Sequence, residues 1–371
     1  MHVPVKRNEK VTKLLNDWYQ LMLQQQLSKV TNLKQELDEY IKILKTEENA
    51  ELQDQNLLLY YSLLDFRFKT LTDRFSITKS SFDKIDSFET PTDGFLAYYY
   101  HFYKAVHFMI LTDHNEAQNH YEKAESLLKY VSNEIEQAEF QSKLALFYHN
   151  TYEPLLAIRY ATTSKDIFSK HQGYESNVAS CENTIGMSCV FLKQFEQAEE
   201  HLNAALNLLN KNNEETLISL VRHNLGWLYS SQNLSESAIR HLSEVTEKIP
   251  NHFKAIFLQA REYSKLGETN IASDLIEKGL KICLNLENEE YTHHFTILKA
   301  LNNNASIEEL KRVTIAGISY FKRETLWDYV EEYAELLATR LHTACDYQTS
   351  SNYFCLGLEA RTKLLAKGAL K

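Results

Sequence analysis

Glycine and proline are scarce in this sequence. It has 9 glycines and 4 prolines among 371 residues, whereas the two together make up roughly 12% of an average protein. Sheet proteins need turn residues every few positions, and phosphate-binding folds need glycine-rich loops. The chain has too few of these residues for either class. We therefore predict an all-α protein.

Features that mark several other classes of protein are also missing. The five cysteines include no CxxC pair, so we expect reduced thiols. No apolar run approaches the roughly 18 residues of a membrane span, and the first residues lack the apolar stretch of a secretory signal. The net charge of −10 disfavours nucleic acid as a partner. These absences predict a cytoplasmic protein with no membrane and no nucleic-acid partner.

A pattern of small residues recurs through the middle of the chain. Ala117, Tyr121 and Ala124 form its first copy, at helical spacing. Similar triplets begin at Ala157, Ala198, Ala238 and Ala272. Another small residue precedes each triplet by twelve positions: Ala105, Ala145, Gly186, Gly226 and Ala260. Small residues let two helices approach closely, and five copies in phase resemble the tetratricopeptide repeat. After residue 285 the pattern decays, as expected of terminal repeats.

The N-terminal residues have a different pattern. Three apolar stripes at helical spacing cover about 11–22, 30–44 and 52–74, which predicts a three-helix bundle over residues 1–75. The stretch 76–93 is rich in serine and threonine and is predicted to be a connector. Residues 94–371 then form the repeat domain.

The third helix of this bundle is apolar on two faces. One stripe consists of Leu57, Tyr61, Leu64 and Phe68. The opposite stripe consists of Gln55, Leu58, Ser62 and Phe66. One apolar stripe is enough for the core of a bundle. The second stripe either contacts the connector or the repeats, or docks a partner protein, and the pattern alone leaves both open.

Two N-terminal segments resemble the Rap family of Bacillus-type bacteria. They are Asn16-Asp-Trp-Tyr19 and Asp54-Gln-Asn-Leu-Leu-Leu-Tyr-Tyr-Ser-Leu-Leu-Asp-Phe-Arg67. His223-Asn-Leu-Gly226 in the repeats also fits. The resemblance implies a three-helix bundle joined to tetratricopeptide repeats. Some members remove the phosphoryl group from an aspartate of a response regulator, and others sequester a DNA-binding response regulator without chemistry. A short secreted signalling peptide bound in the repeats typically inhibits both.

The resemblance also implies roles for residues of the bundle. Gln55 is expected to be catalytic by positioning a water molecule, since an amide both donates and accepts hydrogen bonds. Without that resemblance, Gln55 would be an ordinary polar residue in a first helical turn. Leu58, Phe66 and Phe95 are expected to dock the response regulator. No cofactor of its own is expected, because Mg²⁺ and the phosphorylated aspartate would belong to the response regulator.

In the repeats, the resemblance assigns the signalling peptide to Asn224, whose amide is expected to hold the peptide backbone. A second peptide-contacting position, commonly aspartate in the family, is occupied here by Phe191. The sequence thus predicts an aspartyl-phosphate phosphatase, and non-enzymatic sequestration is the main alternative. A peptide-controlled transcription factor is disfavoured, because the 11 basic and 11 acidic residues of 1–76 cancel where DNA binding needs positive charge.

Overall fold

The computed structural model describes residues 9–46, 55–73, 76–89, 91–212 and 214–368. These residues form eighteen α-helices with short 3-10 turns and no strand, which confirms the all-α prediction. The helices are α1 Glu9–Leu23, α2 Leu27–Thr46, α3 Gln55–Thr72, α4 Asp83–Asp86, α5 Gly94–Ile110, α6 His114–Leu127, α7 Glu134–Asn150, α8 Pro154–Phe168, α9 Glu175–Phe191, α10 Phe195–Asn212, α11 Glu215–Ser231, α12 Ser235–Lys248, α13 Phe253–Lys265, α14 Thr269–Asn285, α15 Glu289–Asn302, α16 Ile307–Arg323, α17 Trp327–Thr343 and α18 Tyr347–Gly368. None of these helices has the length and apolar character needed to cross a membrane.

The chain divides into two compact units. Unit 1 comprises Met1–Asn150 and Leu155–Ile185, and unit 2 comprises Thr151–Pro154 and Gly186–Lys371. The division predicted from the sequence, at residues 75 and 93, follows the change of pattern and stays a prediction. The start of the predicted third helix, residues 52–54, lies outside the described residues, and so do residues 74, 75 and 90.

In unit 1 the first three helices meet around Trp18 of α1. Its indole N–H donates to the carbonyl oxygen of Val30 on α2, at 3.0 Å. Its ring lies 6.3 Å from the ring of Tyr61 and 5.7 Å from that of Phe68, both on α3. A fully buried tryptophan with its N–H paired adds a large apolar surface without an unsatisfied donor. Trp18 therefore joins the three predicted N-terminal helices.

From α5 to α18, consecutive helices form seven pairs with the same turn inside each pair. One residue in each of these turns has a positive φ, in the left-handed region of backbone conformation: Thr112, Tyr152, Lys193, Asn233, Gly267, Asn304 and Cys345. In the fourth pair, for example, the N–H of Leu234 donates to the carbonyl of Tyr229, and that of Asn233 to Ser230. This is the left-handed cap that commonly ends helices. Because the cap recurs in all seven pairs, the chain leaves the first helix and enters the second with the same backbone geometry each time.

The small residues of the repeated pattern lie where paired helices come closest. The five alanines that begin the triplets are fully buried: Ala117, Ala157, Ala198, Ala238 and Ala272. Gly226 of α11 faces Leu242 of α12, and a Cβ atom at Gly226 would lie 2.6 Å from Cγ of Leu242. The helix-pair interpretation of the pattern is confirmed.

Gly226→Ala tests this close approach. In an ordinary helix the change would stabilise by about 1 kcal/mol. Here the added methyl group must displace Leu242, so we expect a net loss of about 1–3 kcal/mol, measured by urea unfolding. In a Leu242→Ala background the same change should become stabilising. A gain of stability with Leu242 present would contradict the close packing.

Two helix pairs, α15–α16 and α17–α18, extend beyond the recognised repeats. In the first of them the small residue is on the second helix. A Cβ at Gly317 of α16 would lie 2.8 Å from Cδ1 of Ile297 on α15. This reverses the arrangement of Gly226 and Leu242, although the helices pack in the same way. The pattern therefore decays in the sequence while the pairing continues in the structure.

Candidate functional site

The residue predicted to be catalytic begins α3. Gln55 is the first residue of this helix and is exposed, and its side chain makes no hydrogen bond with any described residue. Leu58, one turn later, is half-buried. The amide of Gln55 is therefore available to a bound partner, next to an apolar side chain that is partly accessible.

Phe66, predicted to dock a partner, is buried and only 2% exposed. Its ring packs edge-on against Phe82, at 5.0 Å, and His107, at 5.6 Å. Nε2 of His107 lies 2.9 Å from the carbonyl oxygen of Thr78. At Phe66 the second apolar stripe of α3 is therefore covered by the predicted connector and by α5. Of the two alternatives that the sequence left open for this stripe, contact within the protein applies at Phe66. Its role in docking stays a prediction and requires Phe82 to move away.

Phe66→Ala should destabilise the protein. Truncating a buried phenylalanine typically lowers the free energy of unfolding by about 3–5 kcal/mol. Urea unfolding, monitored by the circular dichroism of the helices, would measure this change. Phe354→Ala is the matched control, because Phe354 on α18 is exposed and should change stability by no more than about 0.5 kcal/mol. If both variants lost equally little stability, Phe66 would not be buried in solution.

Phe95, the third predicted docking residue, lies in the first turn of α5. The carboxylate of Asp93 accepts hydrogen bonds from the backbone N–H groups of Phe95 and Leu96, at 3.1 and 3.0 Å. This is a helix N-cap, and it fixes where α5 begins. The Phe95 ring is half-buried and packs edge-on against Tyr99 at 5.0 Å. The structure thus holds Phe95 on α5, with neighbours different from those of Phe66.

A buried polar network, which the sequence did not reveal, surrounds Arg67 at the end of the family-like segment. Arg67 of α3 is 6% exposed and forms an ion pair with Glu139 of α7. It also donates to the hydroxyl of Tyr103 on α5, at 3.3 Å. The Tyr19 hydroxyl of α1 lies 3.5 Å from Glu139 and 3.2 Å from the hydroxyl of Tyr99. The network ties α1 and α3 to α5 and α7 within unit 1.

Asn224, predicted to hold a peptide, lies on α11 in unit 2. It is only 6% exposed, and its Oδ1 lies 3.3 Å from Nδ1 of His223. A peptide backbone that bonds to this amide must compete with His223. The assignment stays a prediction.

Unit 2 contains a groove of about 730 Å³ close to this helix. Side chains of α11, α13, α15 and α17 line it, among them Trp227, Phe257, Arg261, Leu298, Leu336 and Arg340. It combines apolar walls with a few charged groups, as ligand pockets in proteins do. None of these residues was predicted from the sequence, because the repeated pattern marks where helices pack and not which side chains line a groove.

Phe191 stands where the resemblance predicts aspartate. It is 37% exposed, and its ring lies 5.3 Å from the ring of Tyr152 and 5.8 Å from that of Trp227. The three rings form an aromatic cluster in unit 2. This position therefore offers an apolar contact to a ligand, and no carboxylate.

No metal site is evident in the described part of the chain, where no three histidine, cysteine, aspartate or glutamate side chains are placed to hold an ion.

Comparison with known proteins shows what the chain resembles. Residues 5–73 match the family described as response regulator aspartate phosphatase H, N-terminal. Response regulator aspartate phosphatase I of Bacillus subtilis is 27% identical, over 95% of this chain and 91% of its own length. Along nearly its whole length the chain is therefore similar to Rap proteins. Regulatory protein RapF of the same organism is 24% identical to it, over 95% of this chain and 94% of its own.

Solved Rap structures share the fold along nearly the whole chain. The crystal structure of a Rap protein complexed with competence and sporulation factor is 24% identical and matches with a TM-score of 0.82, covering 97% of this chain and 99% of that one. The apo form of RapI is 26% identical and matches with a TM-score of 0.64 over the same shares. The helices described above are thus the Rap fold.

Proposed function

We propose that this protein is a member of the Rap family that removes the phosphoryl group from the aspartyl phosphate of a response regulator, and that a short secreted peptide bound in the repeats inhibits it. The observation that carries the proposal is the exposed amide of Gln55 at the start of α3. It lies within the segment 5–73, which matches the N-terminal part of response regulator aspartate phosphatase H.

The chemistry requires little of the phosphatase. The oxygen of a water molecule attacks phosphorus, the bond between phosphorus and the aspartate oxygen breaks, and inorganic phosphate and a carboxylate are released. The Gln55 carbonyl accepts a hydrogen bond from the water, and its N–H₂ donates to a phosphoryl oxygen. Some GTPases use a glutamine in the same way. We place Mg²⁺ and the phosphorylated aspartate on the response regulator, and both proteins in the cytoplasm.

Phosphate release from phosphorylated receiver domains tests this function. A panel of response regulators from the same organism is phosphorylated, freed of the phosphodonor and incubated with the protein. We expect at least one of them to lose phosphate at least tenfold faster than it does alone. Tight binding without faster release, across the whole panel, would contradict the phosphatase function.

Sequestration of a DNA-binding response regulator is the second candidate. The observation that favours it is a similarity almost as high to proteins whose names state regulation and no phosphatase activity: RapK and RapC, each at 26% identity. For this function the expected result is a complex that prevents the response regulator from binding its DNA, whatever its state of phosphorylation. An electrophoretic mobility assay separates the two functions.

Asn224→Ala should give a protein that stays active but no longer responds to peptide. Removal of the amide takes away hydrogen bonds to the peptide backbone, and we expect peptide affinity to fall roughly tenfold or more. Calorimetry and the phosphatase assay measure the two effects, and competence and sporulation factor is the first peptide to test. Asn207→Ala, at an exposed position of α10, is the control. Equal peptide affinity in both variants would remove Asn224 from the site.

A further inference from the structure

Unit 1 contains a cavity of about 110 Å³ that has no part in the functions proposed above. Side chains of α1, α3, α5, α7 and α9 contribute to its lining. Much of this lining is apolar, and it includes Met22, Leu23, Phe102, Met109, Ile110 and Leu146. An apolar cavity of about 150 Å³ binds benzene, so this one has room for a molecule of about four to six non-hydrogen atoms.

Two side chains of the lining are buried, and each has a polar atom without a partner. Arg67 is 6% exposed, and its Nη1 contacts both Glu139 and the hydroxyl of Tyr103. Its Nε–H, however, finds no acceptor in the described part of the chain. Asn177 of α9 is 8% exposed, and its Oδ1 accepts no hydrogen bond from the residues that the structure describes. Because an unpaired buried polar atom costs free energy, the cavity favours an occupant with an acceptor for Arg67 and a donor for Asn177.

The charge of the lining favours an anion as this occupant. Its charged residues are the basic Arg67 and Lys143 and the acidic Glu139, which leaves an excess of one positive charge. A carboxylate forms a strong, charge-assisted hydrogen bond with a guanidinium N–H. The donor to Asn177 should be uncharged, because an ammonium group would be repelled by the two cations. A hydroxyl group meets this requirement.

We propose that the cavity of unit 1 binds a small 2-hydroxy monocarboxylate such as lactate. The carboxylate accepts from Nε of Arg67, the hydroxyl donates to Oδ1 of Asn177, and the hydrocarbon part contacts Met22 and Met109. Water alone would satisfy the two polar atoms, but it would lie against the apolar side chains without hydrogen-bond partners there. The proposal is independent of the phosphatase function and of the peptide regulation.

Methionine methyl groups make binding visible at known positions. Met22 and Met109 line the cavity, whereas Met187 of α9 does not. The full-length protein, labelled with carbon-13 at its methionine methyl groups, is titrated with millimolar L-lactate and followed by NMR. We expect the signals of Met22 and Met109 to shift and that of Met187 to stay in place. Unmoved signals of Met22 and Met109 would mean that the cavity holds water only, and would overturn the proposal.

Two analogues of lactate test the two polar contacts separately. Lactamide keeps the hydroxyl but carries no charge, and propionate keeps the carboxylate but has no hydroxyl. A site that hydrogen-bonds a ligand group discriminates strongly against an analogue without that group. We therefore expect each analogue to bind at least about tenfold more weakly than lactate. Equal affinity of propionate and lactate would exclude the contact with Asn177, and equal affinity of lactamide would exclude the one with Arg67.

Asn177→Ala assigns the hydroxyl to its acceptor. This variant should lose the preference for lactate over propionate and keep the preference for lactate over lactamide. Asn119→Ala, at an exposed position of α6, is the matched control and should keep both preferences. A preference for lactate over propionate that persisted in the Asn177 variant would overturn the assignment. Should this variant not fold, the comparison of the analogues on the wild type still decides the proposal.

The unfolding temperature supplies an independent measurement. A ligand that binds only the folded protein stabilises it in proportion to the logarithm of its concentration, once the site is nearly saturated. Lactate should therefore raise the Tm of the wild type more than an equal concentration of lactamide or propionate does. An equal effect of all three compounds would be a general effect of solutes and would contradict binding in the cavity.

Discussion

Replacement of Gln55 with alanine should stop dephosphorylation and leave binding of the response regulator within a few-fold. The side chain is exposed and makes no hydrogen bond within the described part of the chain, so its loss should not affect folding. Loss of one well-placed hydrogen-bonding group in an active site commonly costs about 100- to 1,000-fold in rate. Single-turnover decay of a phosphorylated receiver domain measures the rate, and calorimetry measures binding.

Gln118→Ala is the matched control for Gln55. Gln118 is also an exposed helical glutamine, on α6, where it donates to Glu122. Its variant should release phosphate at the wild-type rate. Undiminished turnover in the Gln55 variant would exclude Gln55 as a catalytic residue. A wild type that binds tightly without turnover would point to sequestration.

Arg67→Met should destabilise the protein by about 3–5 kcal/mol, the usual effect of removing one partner from a buried ion pair. The methionine fills much of the same volume, so the loss comes mainly from Glu139, which keeps its charge in a buried site. Urea unfolding measures the change. Adding Glu139→Gln to this variant should recover a large part of the stability, since the uncompensated charge is then gone.

Arg312→Met provides the comparison for Arg67. Arg312 pairs with Glu309 on α16, but both side chains are exposed, and such pairs contribute about 0–1 kcal/mol. If Arg67→Met were no more harmful than Arg312→Met, the network around Arg67 would not be closed to water in solution.

Most of the fold was predictable because close helix contacts require particular residue sizes. Gly226 and Leu242 show this, since a small residue faces a large one across the contact. The equivalent positions in the other copies of the pattern predicted five helix pairs from the sequence. The last two pairs lack the repeated pattern, although they lie within the predicted repeat domain, because size can be exchanged between partners. Gly317 on the second helix faces Ile297 on the first, so the packing persists while the order of small and large residues is reversed. The turns gave little signal either, since the left-handed position holds glycine only at Gly267.

The candidate site was predictable only in part. The sequence indicated that α3 has two apolar faces, but an apolar pattern does not reveal what covers each face. Phe66 is covered by Phe82 and His107, which lie on other elements of unit 1. In the same way, no local pattern links Arg67 to Glu139, because their pairing depends on how α3 and α7 pack.

The network around Arg67 also has a consequence for synthesis of the chain on the ribosome. Arg67 and its ion-pair partner Glu139 are 72 residues apart in the sequence (139 − 67). At roughly 5–20 residues per second, about 4–14 seconds separate their emergence. During this interval the N-terminal helices have an arginine in position to be buried and no glutamate to neutralise it. Residues 1–75 produced alone should therefore be poorly folded, and the N-terminal helices of the nascent chain should become protected from protease only after α7 has emerged.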